Sequence, residues 1–333
     1  MDLNELKKQF PDESSCRSFF ESIIWASGRT CPHCGSTKSW VIKGQSAREG
    51  LYECASCGNQ FTVTTRTPMH STKLPLLTWL TAMYLIANSS KGISSVVLAR
   101  FIGTRQKTAW KLGHAIRAMM AAVPTELPLL MGVVELDEKY LGGRPRFQEG
   151  VKHKCGYGTA KQCIAVAVER KGSVKATLVR HNGETALSPF VKGAVDPAAY
   201  LMSDHNPAYV KLAEDFAGHS YVDHGDREYA RGEVHNNTAE SYNAMLERAK
   251  VGVFHQISKE HMQLYVDEVA FRWNQRVPAG TRIHKGKEKV VMKPLPIYEK
   301  IMKLLAVALG LQIRWTRNSS IYAIPITEPS FGG

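Results

Sequence analysis

The sequence predicts an α/β core preceded by a small cysteine-knuckle module and a helical segment. Three observations carry that reading. Two Cys-x-x-Cys knuckles stand at Cys31/Cys34 and Cys54/Cys57. Apolar residues follow a helical period from about residue 74 to 120, then alternate between strand-like and helical runs from 131 to 274. The 333-residue chain holds 43 Lys and Arg against 30 Asp and Glu, a net charge of +13 that favours an anionic partner. Its length implies two or three domains, and a hydrophobic content of 44% excludes global disorder. Residues 1–10 lack an apolar h-region, and no apolar run reaches the roughly 18–20 residues of a membrane span. A soluble cytoplasmic protein with no membrane partner is expected.

The knuckles come first. In a chain of that kind, paired Cys-x-x-Cys motifs read as a zinc site rather than as disulfides. The two-residue gap lets both thiolates reach one ion, and Gly35 and Gly58 permit the turns that follow. Short β-rich runs at 40–42, 51–54 and 60–64 complete a zinc ribbon. All four ligand positions are Cys, so the zinc is expected to be structural. His33, inside the first knuckle, reads as an exposed polar residue. Cys16, Cys155 and Cys163 follow no pattern and read as buried thiols.

The helical segment follows. Leu77, Leu80, Tyr84 and Ile86 mark one apolar face, and residues 88–92 break it. Ala99 stands four residues before Gly103, a spacing that suits a helix-turn-helix. Thr104 is placed to cap the second helix, with Arg105, Gln106 and Lys107 in its first turn facing DNA. An ordinary three-helix unit with a solvated basic face is the alternative.

The core begins at 131. Strands are expected at 131–137, 162–169, 174–180, 200–204 and 219–223, with a hairpin signal at 170–173. Helices are expected at 186–195, 207–217 and from 238 to about 250. This order resembles a ribonuclease-H-like fold, although periodicity alone allows other α/β sheets. Asp137 closes the first strand, Asp204 closes a later one, and Glu240 lies in the first turn of the following helix, with 35 residues between it and Asp204. Strand ends and a helix start converge on one sheet edge in many α/β sites. Three carboxylates there suit Mg²⁺ or Mn²⁺ and two-metal phosphoryl transfer. Taken singly, each acid has another use. Glu135 and Glu138 flank Asp137 and are rival ligands, Asp204 can cap the next helix, and Glu240 can serve the helix dipole.

A Gly-rich basic loop leaves the Asp137 strand, with Arg144, Arg146, Lys152 and Lys154 as candidate DNA-backbone contacts. A solvated loop is the equal alternative. Met262, Tyr265, Val266, Val269 and Trp273 form a helical core stripe. Residues 282–293 are strongly basic and read as a linker or a DNA-facing segment, and 296–311 as an amphipathic helix. Beyond 318 no motif stands out.

The cysteine module, the run 134–143 (Val-Glu-Leu-Asp-Glu-Lys-Tyr-Leu-Gly-Gly) and the run 234–241 (Val-His-Asn-Asn-Thr-Ala-Glu-Ser) together resemble the DDE-type transposases of bacterial insertion sequences. The similarity is to the ISXO-like branch, which has an N-terminal zinc ribbon. Residues 252–262 and 265–274 are similar to the same family, and the resemblance spans about residues 16–276. It implies Asp137, Asp204 and Glu240 as the metal-binding triad, with Asn237 one helical turn before Glu240. The family usually has a DNA-contacting Lys seven residues after the Glu. Here Glu247 stands there, where a carboxylate is expected to repel DNA, and Arg248 beside it is the candidate replacement.

The expected organisation is an N-terminal helix and zinc ribbon over 1–70, a helical DNA-binding segment over 71–125, a ribonuclease-H-like catalytic domain over 126–278, and a basic linker with a C-terminal helix over 279–333. The expected function is binding of terminal inverted repeats, Mg²⁺-dependent cleavage there, and transfer of the 3′-OH to target DNA by a nucleoid-associated homodimer. A structure-specific nuclease and a catalytically impaired DNA-binding relative are the alternatives.

Overall fold

The computed structural model describes residues 2–44, 47–123, 128–143, 149–150, 159, 161–222, 231–284, 287–315 and 321–324. The chain forms two compact units, Met1–Val123 with Leu295–Gly333, and Pro124–Pro294.

The first unit opens with helices α1 (Leu3–Gln9) and α2 (Glu13–Ile24), each started by an aspartate in a capping box. Strands β1 (Ser39–Val41), β2 (Tyr52–Cys54) and β3 (Gln60–Phe61) pair antiparallel as the ribbon. So small a sheet needs outside support. Trp25, at the end of α2, packs edge-on against Tyr52 and Phe61 with ring centroids 5.5 and 6.0 Å away. Helix α3 (Leu76–Asn88) lacks a side-chain cap of its own, since Pro75 precedes it. Glu13 of α2 supplies one, accepting from the backbone N–H of Leu76 at 2.8 Å. Helices α4 (Ser95–Phe101) and α5 (Gln106–Ala122) flank the expected turn.

Gly103 takes φ +65° in that turn, as the spacing from Ala99 predicts. The cap is not Thr104, however. The Thr104 N–H bonds the Ala99 carbonyl at 3.0 Å and closes the turn, so Arg105 becomes the N-cap in extended conformation.

The C-terminal helix α10 (Ile297–Ala306) belongs to this unit and packs on α2, α3 and α5 through buried Ile301, Leu304 and Leu305. It ends well before 311. A short hairpin, β11 (Gln312–Trp315) with β12 (Ile321–Ile324), follows it.

The second unit is built on β4 (Val133–Leu141), β5 (Gln162–Glu169), β6 (Val174–Val179), β7 (Tyr200–Asp204) and β8 (Gly218–Val222). Their order in the sheet is β6–β5–β4–β7–β8. The β4–β5–β6 meander is antiparallel, and β7 and β8 run parallel to β4. This is the ribonuclease-H-like arrangement. Helices α6 (Glu184–Ala194) and α7 (Pro207–Leu212) cover one face through Leu187, Val191 and Tyr209. Helices α8 (Asn237–Ala249) and α9 (Met262–Asn274) cover the other through Tyr242, Leu246, Val266 and Trp273. With both faces covered, β5 is buried from Cys163 to Val168, an unbroken apolar run rather than an alternating one.

The basic stretch, read as a linker or a DNA-facing segment, forms strands in its described part. It lies in the hairpin β9 (Arg276–His284) and β10 (Lys287–Pro294). No helix among the described residues is long and apolar enough to cross a membrane.

Candidate active site and metal centre

The four knuckle cysteines converge. The Sγ atoms of Cys31 and Cys57 lie 3.8 Å apart, those of Cys34 and Cys54 3.5 Å, and all four sulfurs fall within 4.8 Å of one another. A tetrahedral zinc with bonds of about 2.3 Å has sulfur–sulfur edges of about 3.8 Å. The donor set therefore fits a structural zinc. The two knuckles are built alike. The N–H groups of His33 and Ser56 each point at a sulfur, of Cys31 and Cys54, at 3.4 Å. Gly35 and Gly58 close the turns with φ +75° and +67°. The backbone N–H groups of Cys57 and Ser56 lower the Cys54 thiol to about 6, whereas burial pushes Cys31 up to about 12. His33 is not one of the converging ligands.

The acidic site follows from strand register. Glu135 of β4 pairs with Met202 of β7 in parallel. Asp137 and Asp204 each stand two residues further on, so they are level on neighbouring strands and share a face. Both lie just past the paired stretch of β4 and β7, at its carboxyl end, where α/β sites form; β4 itself does not close at Asp137 but runs on to Leu141, paired with β5. Carboxylate oxygens of Asp137, Asp204 and Glu138 come within 4.8 Å of one another. Glu138 reaches the cluster from the opposite face of β4. Asn206, the N-cap of α7, donates to its Oε1 at 2.7 Å, and buried Tyr209 also bonds it. The Asn243 amide of α8 donates to Asp137 Oδ2 at 2.7 Å.

Burial pushes the Asp137 carboxyl up to about 7, and the charges of Asp204 and Glu240 push the same way. Glu138 rises to about 8 by burial and the charge of Asp204. The groups acting on these two acids are other carboxyls and neutral hydrogen-bond donors. Such a set of hard oxygens fits a divalent cation. A measurable consequence follows. Above the ordinary carboxyl pKa of about 4, and up to about 7–8, the folded metal-stripped chain holds protons that the unfolded chain has released. Its stability should therefore fall as pH rises through that window. Mg²⁺ should restore it, with a larger gain in Tm at pH 8 than at pH 5, read from paired thermal melts.

Glu240 is exposed on the first turn of α8 and is not one of the three converging acids, although its charge reaches Asp137. What fixes this helix is Glu135, two residues before Asp137 and fully buried. Its carboxylate accepts from the N–H groups of Thr238 at 2.6 Å and Ala239 at 3.0 Å, and from the Thr238 hydroxyl at 3.0 Å. It thereby caps a helix whose own N-cap, Asn236, makes no side-chain cap bond. Arg170 from the β5–β6 turn pairs with it at 2.6 Å and also donates to the His235 carbonyl at 3.0 Å. Asn236 meanwhile donates to the Leu136 carbonyl at 2.9 Å. The strand of Asp137 and the helix of Glu240 are thus pinned together. Glu135→Ala should destabilise the second unit by about 3–5 kcal/mol, because Arg170 loses its buried partner. Urea unfolding measures this.

Residues 129–274 match the ISXO2-like transposase domain family, and residues 11–60 match the transposase zinc-ribbon domain. The chain belongs to this transposase family. It is 27% identical over 271 residues to an uncharacterized protein in transposable element ISH50 of Halobacterium salinarum, covering 78% of this chain and 90% of that one. Among solved structures it is similar to the Mos1 transposase paired-end complex with left transposon end, at 8% identity and a TM-score of 0.25 over 59% of this chain and 75% of that one. The Mos1 strand transfer complex matches at 11% identity and a TM-score of 0.22, over 59% and 76%.

The family's Lys position, here Glu247, is electrostatically occupied. Its carboxylate lies 3.7 Å from Lys139 Nζ and 3.2 Å from Lys250 Nζ, so the repulsion expected from a bare carboxylate is offset by two cations. Arg248 is exposed in the last turn of α8. Asn237 is exposed at the start of α8. It lines a cleft of about 470 Å³ with Trp273 and Arg276, and its neighbour Asn236 makes the contact with β4.

In the first unit of this transposase, Arg105 and Lys107 are exposed and line a cleft of about 640 Å³ together with Lys73, Lys111 and Trp315. Lys111 Nζ stands 5.0 Å over the Trp315 ring. Gln106 instead bonds the Ser95 hydroxyl at 2.8 Å and ties α5 to the start of α4. Arg144, Arg146, Lys152, Lys154 and Cys155 lie outside the described residues. Cys16 and Cys163 are buried, as expected of packing thiols.

Sequence reasoning named Glu138 and Glu135 only as rivals of Asp137, and it missed Asn243. The signal for Asn243 was its place three residues after Glu240 on one helix.

Proposed function

We propose that the chain binds the terminal inverted repeats of its insertion sequence, cuts DNA there with Mg²⁺ or Mn²⁺, and joins the freed 3′-OH to target DNA. The level placement of Asp137 and Asp204 on neighbouring parallel strands, with the Glu240 helix pinned beside them, carries this reading. Asp137 and Asp204 would hold the cations, and Glu240 would complete the second site. Divalent cations held by such carboxylates activate the attacking oxygen and stabilise the leaving oxygen of a phosphodiester.

The remaining work falls to the chain itself. Asn243 keeps one Asp137 oxygen oriented. Asn206 and Tyr209 hold Glu138 in place at the edge of the cluster. Glu135 and Arg170 fix the helix that presents Glu240. Phosphoryl transfer asks for this kind of positioning and charge stabilisation more than for covalent chemistry. Arg105 and Lys107 in the cationic cleft of the first unit would bind the repeats, with the zinc ribbon beside them and Arg248 at the catalytic unit. The structural zinc takes no part in the chemistry. Two copies would act together at the nucleoid, each bringing one end.

Incubation with the element's own ends and Mg²⁺, scored for nicking and for joining, tests the proposal. Both products are expected. Nicks without joined products would indicate a nuclease, and binding without nicks a DNA-binding relative.

A further inference from the structure

The hairpin β9–β10 has no place in the active-site reading. It is a two-stranded sheet of its own, joined by no further strand among the described residues. Strands of nine and eight residues make a ribbon roughly 30 Å long. At its base the Arg276 guanidinium lies 3.7 Å over the Trp273 ring, and its Nε donates to the Trp273 carbonyl at 2.9 Å. Residues 277–283 are exposed, Ile283 at 81%.

Register sorts the ribbon into two faces, because opposed residues share a face and every second residue returns to it. The pairs His284–Lys287, Arg282–Lys289 and Val277–Lys293 lie on one face. The pairs Ile283–Glu288, Thr281–Val290, Pro278–Met292 and Arg276–Pro294 lie on the other. A bulge between Val290 and Met292 leaves an extra residue on β9, where Gly280 takes φ +118°, and the alternation resumes in step beyond it. Arg276, Glu288, Val290 and Met292 all line the cleft beside Asn237 and Trp273. The second face is therefore the inner one. The outer face holds the positions of Arg282, Lys287, Lys289 and Lys293 and no acid, while Glu288, the one carboxylate of these strands, is on the inner face.

We propose that this outer face is a DNA arm of the catalytic unit, lying along the phosphate backbone of double-stranded DNA. The inference rests on the DNA-transposase reading above. A two-stranded ribbon fits the major groove, and lysines and arginines in register along it match the spacing of a polyanion better than a compact acidic patch. A second copy of this chain is a poorer partner, since it carries +13 itself.

The test is the full-length chain carrying Arg282→Ala, Lys289→Ala and Lys293→Ala together, titrated with a duplex of the element's end from 50 to 200 mM salt. Arg282 and Lys293 are exposed, so melting should match the unaltered chain. The log–log salt slope should shrink by about 2–3, near 0.9 per lost phosphate contact, and affinity at low salt should drop about tenfold or more. An unchanged slope and affinity would overturn the arm while leaving the transposase reading intact. So would an unchanged slope with lost self-association, which would assign the ribbon to a second copy. A flat salt response of the unaltered chain would remove the DNA reading itself, and the arm with it.

Discussion

Asp137→Ala is expected to lower strand cleavage by about 10³-fold or more while leaving the affinity for the element's ends unchanged. The acid sits half-buried midway along β4, and its carboxylate oxygens lie within 4.8 Å of those of Asp204 and Glu138. Its removal takes away a proposed cation ligand without touching the cationic cleft of the first unit. The same change has an opposite effect on stability. Asp137 is held up at about 7 by burial and by neighbouring carboxyls, so at pH 8 the metal-stripped fold bears an unfavourable charge there. Removing it should raise the melting temperature of the metal-stripped chain. Loss of activity joined to a gain in Tm separates a functional carboxylate from a structural one. A variant that loses both would mean that Asp137 holds the sheet together.

Stripping zinc should cause the largest loss of structure. Sites of this composition bind with apparent energies of about 10–16 kcal/mol, more than a sheet of β1, β2 and β3 can replace. Chelation, or Cys54→Ser, should unfold the ribbon and release the aromatic cluster of Trp25, Tyr52 and Phe61. Tryptophan fluorescence should shift to the red. Zn²⁺ should reverse the chelated state and Mg²⁺ should not, which distinguishes this site from the acidic one. An unshifted spectrum after complete chelation would show that the ribbon stands without metal.

Much of this was legible in the sequence, because the signals are local. The knuckles are four-residue motifs, and the buried strands read as apolar runs of strand length. Asp137 and Asp204 declare themselves as acids closing such runs. The supporting cast is not local. Glu135 bonds residues 103 and 104 positions away, Asn243 reaches back 106, and Asn206 reaches back 68. No period in the sequence records such meetings. The β9–β10 hairpin was hidden for another reason. Its exposed strands bury no continuous face, so the apolar alternation that marks a half-buried strand is absent, and its charges resemble those of a linker.

The first unit is assembled from two separate stretches, Met1–Val123 and Leu295–Gly333, that flank the whole of the second unit in the sequence. Helix α10, which fills the groove between α2, α3 and α5, leaves the ribosome only after residues 124–294 have been made. The contiguous second unit can fold as soon as it emerges, whereas the first unit is complete only once α10 has followed it. A nascent chain that has just passed residue 294 thus has the whole of its second unit in hand and its first unit still incomplete.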